Sequence, residues 1–408
     1  MKAIIGRVKY EVKMSLAHER LRHSMPLLLK KINFSPIVSI QGPRQCGKSY
    51  LVRHLLVKKL PNCSYKSLDR HDLRVFAESN PRSFLEGHES KHLIIDEAQK
   101  SPQIFDEMKD IVDDIRTPGQ FIILGSTEFS IETKIKESLT GRLSKLRLFP
   151  LSLSETLKFE LNKKDQFPFI NQVNRFSRKD FLRYLENGGM PGIFAVRNEN
   201  ERRSLISDWI KTTVDRDIHQ IQKYKLDSQI AMKILSAVCT LETASCAEIS
   251  SFLRMNSRTV QRYLHAFLLL FVIVEIRPTH YSSGKPLYYV TDCGISNVMG
   301  ASFQKTIETW FYIELISQLS YKDFFNYNIQ YYKSAKSSRV HAIYEDEKNV
   351  FAIKLNFNEK IDKRELLIFE SLKKVIPKNK KLSCYYLSGG ISHHNFNDIK
   401  IHPWESIC

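Results

Sequence analysis

The chain has 408 residues, 42% of them hydrophobic and 26% charged, a balance that excludes a disordered or low-complexity protein and allows two or three domains. Lys and Arg number 62 against 44 Asp and Glu, and the resulting net charge of +18 favours a polyanionic partner, most simply nucleic acid. Seven scattered cysteines form no CxxC pair, which argues against a zinc ribbon or a disulfide framework, and no apolar run is long enough to span a bilayer; the reading is a cytoplasmic protein with no membrane partner.

Residues 1–34 read as helical with a basic polar face. Residues 35–41 are a short apolar strand entering a glycine-containing loop, and 49–60 read as a helix stopped by Pro61. Further strands are expected at 62–68, 91–95, 120–124 and 143–151. Strands alternating with helical stretches predict an α/β fold with a parallel sheet covered on both faces. After about residue 153 helical periodicity takes over, punctuated by a turn at 188–192. A compact helix, turn, helix and hairpin pattern follows over 237–290. The last unit begins with a helix at 306–319 and continues with strands at 329–332, 339–344, 350–355 and 381–387 and a helix at 362–375. The expected division is a helical segment (1–34), an α/β core (35–153), a helical region (154–236), a fourth unit (237–299) and a last unit (300–408).

Gly42, Pro43, Arg44, Gln45, Cys46, Gly47, Lys48 and Ser49 fit the pattern GxxxxGK followed by Ser or Thr, with Tyr50 next. The glycines let the backbone curl so that successive N–H groups point inward at phosphate oxygens, and the helix that follows offers its positive end. Lys48 is expected on the β- and γ-phosphates of ATP, Ser49 on Mg²⁺, and Cys46 as a small filler inside the loop. The apolar strand Leu93-Ile94-Ile95 ends on Asp96 and Glu97, the usual Walker B arrangement. Asp96 is expected to hold Mg²⁺ and Glu97 to polarise the attacking water. Ser126 and Thr127 end the next strand, where either can bond the γ-phosphate or the water, or cap a helix. Arg142 is a candidate to compensate γ-phosphate charge, in cis or, in a homo-oligomer, in trans.

The succession of the 42–49 loop, LIIDEAQ (93–99), ILGST (123–127) and LTGRLSKLRLFPLSLSE (139–155) resembles one family of prokaryotic AAA-type ATPases. The resemblance continues through YLENGGMPG (184–192) and DRDI (215–218) and covers roughly residues 20–390. It implies an AAA-type P-loop NTPase sheet, then a helical and winged-helix segment, then a small α/β nuclease-like domain. In the winged-helix segment, 246–253 and 257–270 would be the two helices and the hairpin the wing. Arg258, Gln261 and Arg262 would face DNA, and Val260, Leu264, Phe267 and Leu268 the core. In the last unit Glu308 matches a nuclease helix glutamate, but the family's metal-binding Asp is replaced in Arg339-Val340-His341, and its Glu in Phe351-Ala352-Ile353-Lys354 is Ala. With those carboxylates gone, no cutting of DNA is expected. The expected activity is Mg-dependent ATP hydrolysis that drives a switch or motor on DNA. The alternative is a nucleotide-regulated scaffold for a protein partner, with slow ATPase and no DNA role.

Overall fold

The computed structural model describes residues 19–129, 139–161, 167, 170, 176–221, 224–323, 329–334 and 339–408. Of the helical segment expected over 1–34, residues 1–18 lie outside these. The described part is α1 (Met25–Phe34), which carries Pro26 in its first turn, where a missing N–H costs no hydrogen bond.

Five parallel strands follow: β1 (Ile37–Gln41), β2 (Cys63–Ser67), β3 (His92–Asp96), β4 (Phe121–Gly125) and β5 (Leu143–Arg147), in the order β2-β3-β4-β1-β5. The helices between them are α2 (Lys48–Tyr50), which runs on as a π-helix (Leu51–Leu56), α3 (His71–Ser79), α4 (Pro81–Glu86) and α5 (Ile104–Asp114). Strand side chains alternate between two cores. Ile37, Leu93, Ile95, Phe121 and Ile123 pack with Phe84, Phe105 and Met108 from α4 and α5. Val38, Ile40, Ile94, Ile122 and Leu124 pack with Leu28 and Ile32 of α1 and with Leu51, Val52 and Leu56 beyond the loop. Both faces are therefore covered, which is why these strands read as near-continuous apolar runs.

The middle of the chain is helical: α6 (Leu153–Thr156), α7 (Arg178–Asn187), α8 (Glu199–Asp215), α9 (Ser228–Thr240), α10 (Cys246–Leu253) and α11 (Ser257–Leu269), then the hairpin β6 (Ile273–Pro278) and β7 (Leu287–Val290), then α12 (Cys293–Val298). Ser245 and Glu248 form a reciprocal capping box that starts α10. One core holds Met190, Trp209, Ile234, Val238, Val260, Phe267, Ile273, Val290 and Ile295. The boundary expected between 236 and 237 runs through this core, because α8 and α9 bury their apolar faces against α11 and the hairpin.

The last elements are α13 (Phe303–Tyr321), β8 (Gln330–Lys333), β9 (Arg339–Glu345), β10 (Asn349–Leu355), α14 (Lys363–Lys373), β11 (Lys381–Ser388), β12 (His394–Phe396) and β13 (Ile399–Pro403). They form one eight-stranded sheet with the hairpin, in the order β12-β13-β11-β10-β9-β8-β6-β7. The expected wing is thus not a free hairpin: Arg277 and Pro278 of β6 pair in parallel with Gln330 and Tyr331 of β8, and the sheet crosses the boundary expected at 299/300. Residues 305–321 of α13 are buried, polar ones included, since the helix is packed on all sides. Among the described residues no helix is long and apolar enough to cross a membrane.

Candidate functional site

The loop from Gly42 to Ser49 leaves the carboxyl end of β1, and the ends of β3 and β4 lie beside it. Gly47 sits at φ +95°, a conformation open to glycine, and a Cβ there would stand 3.3 Å from Pro191. The buried Lys48 ammonium donates to the carbonyls of Gly42 and Pro43, both at 2.9 Å, so its charge is already aimed into the loop. Cys46 is buried in the core under the loop. Arg44, Gln45, Gly47, Ser49 and Tyr50 line a cavity of about 590 Å³ above it.

Tyr65 of β2, which the sequence did not single out, joins two of the expected site residues. Its hydroxyl donates to Asp96 Oδ2, and Ser49 hydrogen-bonds the same phenol. Burial, and then the Asp96 charge, push the phenol well above its ordinary range, so it stays a neutral donor. Glu97 stands at φ +54°, a left-handed conformation that costs a non-glycine residue about 1–3 kcal/mol. Its carboxylate accepts from the Gln99 amide and, at 3.2 Å, from the Ser126 hydroxyl. Burial raises its pKa, while Lys48 and Gln99 pull the other way. Ser126, the residue that follows β4, is therefore the one that meets Glu97. The neighbouring Thr127 instead offers its carbonyl to Gln41 Nε2 at 2.9 Å, tying β4 to β1.

Arg142 does not reach this site within the chain, which corrects the cis expectation. Its carbonyl accepts from Ile37 N–H at the start of β1, four residues from the end that carries the loop, or about 13 Å along a strand. Its guanidinium grips Asp113 with two bonds of 2.6 Å. Arg142→Ala is expected to change turnover of the dilute protein by less than about twofold, as surface substitutions do. A loss that appears only as protein concentration rises would assign Arg142 to a neighbour's site.

The other walls of the cavity come from far along the chain. Arg22 donates to Cys46 O at 3.2 Å and to Phe149 O at 2.6 Å, and pairs with Glu155 at 3.5 Å. The Gly188-Gly189-Met190-Pro191-Gly192 turn supplies Pro191 and Gly192, followed by Ile193 and Phe194. Gly188, at φ +70°, faces Asp292 so closely that a Cβ would fall 2.0 Å from Oδ1. The buried Asp292 carboxylate takes the Gly189 N–H at 2.7 Å and the Gly294 N–H at 2.8 Å, and burial pushes its pKa up to about 6. Trp209 of α8 donates Nε1–H to Arg44 O at 3.1 Å, and the Arg44 guanidinium reaches Asp217 Oδ1 at 3.1 Å. The 215–218 segment, noted only as a resemblance, thus clamps the loop.

Arg258, Gln261 and Arg262 are exposed on α11, and Val260, Leu264 and Phe267 are buried; Leu268 is only partly so. Glu308, Arg339, His341 and Lys354 come together in the other half of the chain. Arg339 pairs with the Glu308 carboxylate, His341 Nε2 lies 3.5 Å from it, and Tyr289 donates its hydroxyl to it at 2.7 Å. Burial works to raise the Glu308 pKa, but Arg339 foremost, then His341 and Lys305, hold it well below the usual carboxylate range. His341 is pushed down to about 4 by burial, so it stays neutral. Among the described residues no group of three or more His, Cys, Asp or Glu could hold a metal ion.

Residues 34–157 match the AAA domain family, and residues 178–306 match a domain of unknown function (DUF8612). An uncharacterized protein of Mycobacterium tuberculosis and another of Mycobacterium bovis are each 27% identical over 285 residues, or 67% of this chain. The chain spans only 58% of the length of those relatives. An uncharacterized protein of Methanocaldococcus jannaschii is 24% identical over 357 residues, 81% of this chain and 77% of that one. Among solved structures, a Walker-type ATPase of Pyrococcus abyssi aligns over 68% of this chain and 94% of its own, at 12% identity and a TM-score of 0.42. A DNA replication initiation factor aligns over 60% and 85%, at 16% identity and a TM-score of 0.26.

Proposed function

We infer that this chain, whose residues 34–157 are an AAA-type P-loop ATPase domain, hydrolyses Mg-ATP at the 42–49 loop and uses the cycle as a switch or motor that engages DNA through its basic C-terminal half. The observation that carries the reading is the meeting of Lys48, Ser49, Asp96, Glu97 and Ser126 at the carboxyl ends of β1, β3 and β4. Lys48 turns from the loop carbonyls to the β- and γ-phosphates, and the curled backbone of residues 42–49 supplies N–H donors. Mg²⁺, when bound, neutralises charge developing on the transferred phosphoryl group. Ser49 and Asp96 are the residues that would hold it, and their shared hydrogen-bond partner Tyr65 keeps them in register. Glu97 accepts a proton from the attacking water and Ser126 helps to orient it. The apolar wall of Pro191, Ile193, Phe194 and Trp209 receives the base. Through Trp209, Arg44 and Asp217, closure on the nucleotide is transmitted to α8 and the core beyond it.

The DNA part of the reading rests on the exposed Arg258, Gln261 and Arg262 of α11, at the position a winged helix uses to read DNA, and on the +18 charge. A cytoplasmic protein, and a homo-oligomer in which Arg142 serves a neighbour, complete the reading. The test is steady-state ATP hydrolysis with Mg²⁺, with and without duplex and single-stranded DNA, at two salt concentrations. Lys48→Ala is expected to lower the rate at least about a hundredfold. DNA is expected to raise the wild-type rate, and more so at low salt. Turnover indifferent to DNA would favour the protein-binding scaffold instead.

A further inference from the structure

A second, larger cleft of about 1120 Å³ opens between the β6–β7 turn, the start of α10 and the β8–β10 face of the sheet. Glu308 lies at its floor, and that charge is already taken up: Arg339 pairs with it, Tyr289 donates to it and His341 stands beside it. What the floor still offers an incoming group is donors. Lys354 is buried; its ammonium donates to Arg339 O at 3.3 Å and pairs with Glu365 at 3.5 Å, which leaves one of its three N–H donors for an incoming group. Lys285 and Lys333 stand exposed on the rim. Glu242, Glu248 and Glu365 also line the cleft, so it is not uniformly basic, and an anion would seat where the cations converge. A divalent cation would have to displace Arg339 from Glu308. The guanidinium thus occupies the place that a metal would take against this carboxylate, and of its five N–H donors Nη2 serves Glu308 and Nη1 the Tyr289 hydroxyl.

The wall of the cleft formed by the start of α10 also packs beside the start of α11. Ser245 and Ala247 line it, and Cys246 Sγ between them is 3.5 Å from Ser257 O at the start of α11. The exposed face that carries Arg258 and Arg262 begins one residue further on. We propose that the cleft holds a phosphate of a nucleic-acid strand on Lys354 and Arg339 without a metal ion, with the strand running out over Arg258 and Arg262. This proposal rests on the DNA-binding reading above and assigns it a second contact site.

The test is fluorescence anisotropy of labelled single-stranded and duplex oligonucleotides with the full chain, in EDTA and in Mg²⁺, across a salt series. Lys354→Met, which keeps the buried stem, is expected to weaken binding about tenfold near 0.1 M salt and to reduce the salt slope by about 1. The exposed pair Lys285→Ala/Lys333→Ala, which removes no buried contact, is expected to weaken binding as well, and EDTA to change nothing. Full-strength binding by both variants, with loss in Arg258→Ala/Arg262→Ala, would overturn the cleft and leave DNA binding by α11 standing. Binding that requires Mg²⁺ would overturn the metal-free site, and no binding by the wild type would overturn both readings.

Discussion

Glu97→Gln is expected to leave ATP binding intact while lowering turnover by about 10²–10⁴-fold, the usual contribution of a positioned general base. Glutamine has the same shape, and its amide can keep a partner in Gln99 or Ser126, so the loop and the strained turn at φ +54° should survive. What disappears is the carboxylate that takes the water's proton. Binding of a fluorescent ATP analogue, measured beside hydrolysis, separates the two effects; a parallel loss of both would mean that Glu97 supports the fold of the site. The pH profile offers a second check. Burial raises the Glu97 pKa, and only the ionised form can accept a proton, so activity should fall on the acid side at a pH above the ordinary glutamate value.

Arg339→Ala is expected to cost about 3–5 kcal/mol at neutral pH, because it leaves the Glu308 carboxylate buried without its cation. The readout is urea unfolding followed by tryptophan fluorescence, since Trp310 and Trp404 lie in the same core as Tyr289 and Tyr312, which flank the pair. The sign of the pH dependence follows from the depressed Glu308 pKa. A carboxylate whose folded pKa lies below its unfolded value contributes stability that is present above about pH 4.3 and is lost as pH falls toward the folded pKa. The penalty of Arg339→Ala should therefore shrink on acidification, as a protonated Glu308 no longer needs a cation. The double change Glu308→Leu/Arg339→Met should be far milder than the single one, since replacing a buried pair with apolar groups is often neutral. Equal damage from the single and double variants would show that packing, and not charge, governs this cluster.

The parts of the site legible in the sequence were those whose geometry is local. The 42–49 loop needs its glycines within eight residues, and Asp96 and Glu97 follow directly on an apolar strand. The exposed and buried faces of α11 follow from helical period alone. Arg142 shows where such reasoning stops. It sits among motif residues in the sequence, yet β5 runs parallel to β1, so its first residues lie at the far end of the sheet from the loop. The order β2-β3-β4-β1-β5, which no short window encodes, is what places β4 between β3 and β1 and brings Ser126 to Glu97.

By itself, then, the sequence determined that the chain has an α/β P-loop unit and where its phosphate loop and its Asp-Glu pair stand. Backbone conformation and apolar period are short-range properties, carried by neighbouring residues. Only the tertiary structure decided that Tyr65 bridges Ser49 and Asp96, that Trp209 and Asp217 clamp Arg44 from more than 160 residues away, and that the hairpin joins the C-terminal sheet. Those pairings depend on which buried surfaces find each other, and burial is shared across the whole chain, so no local pattern of residues specifies it.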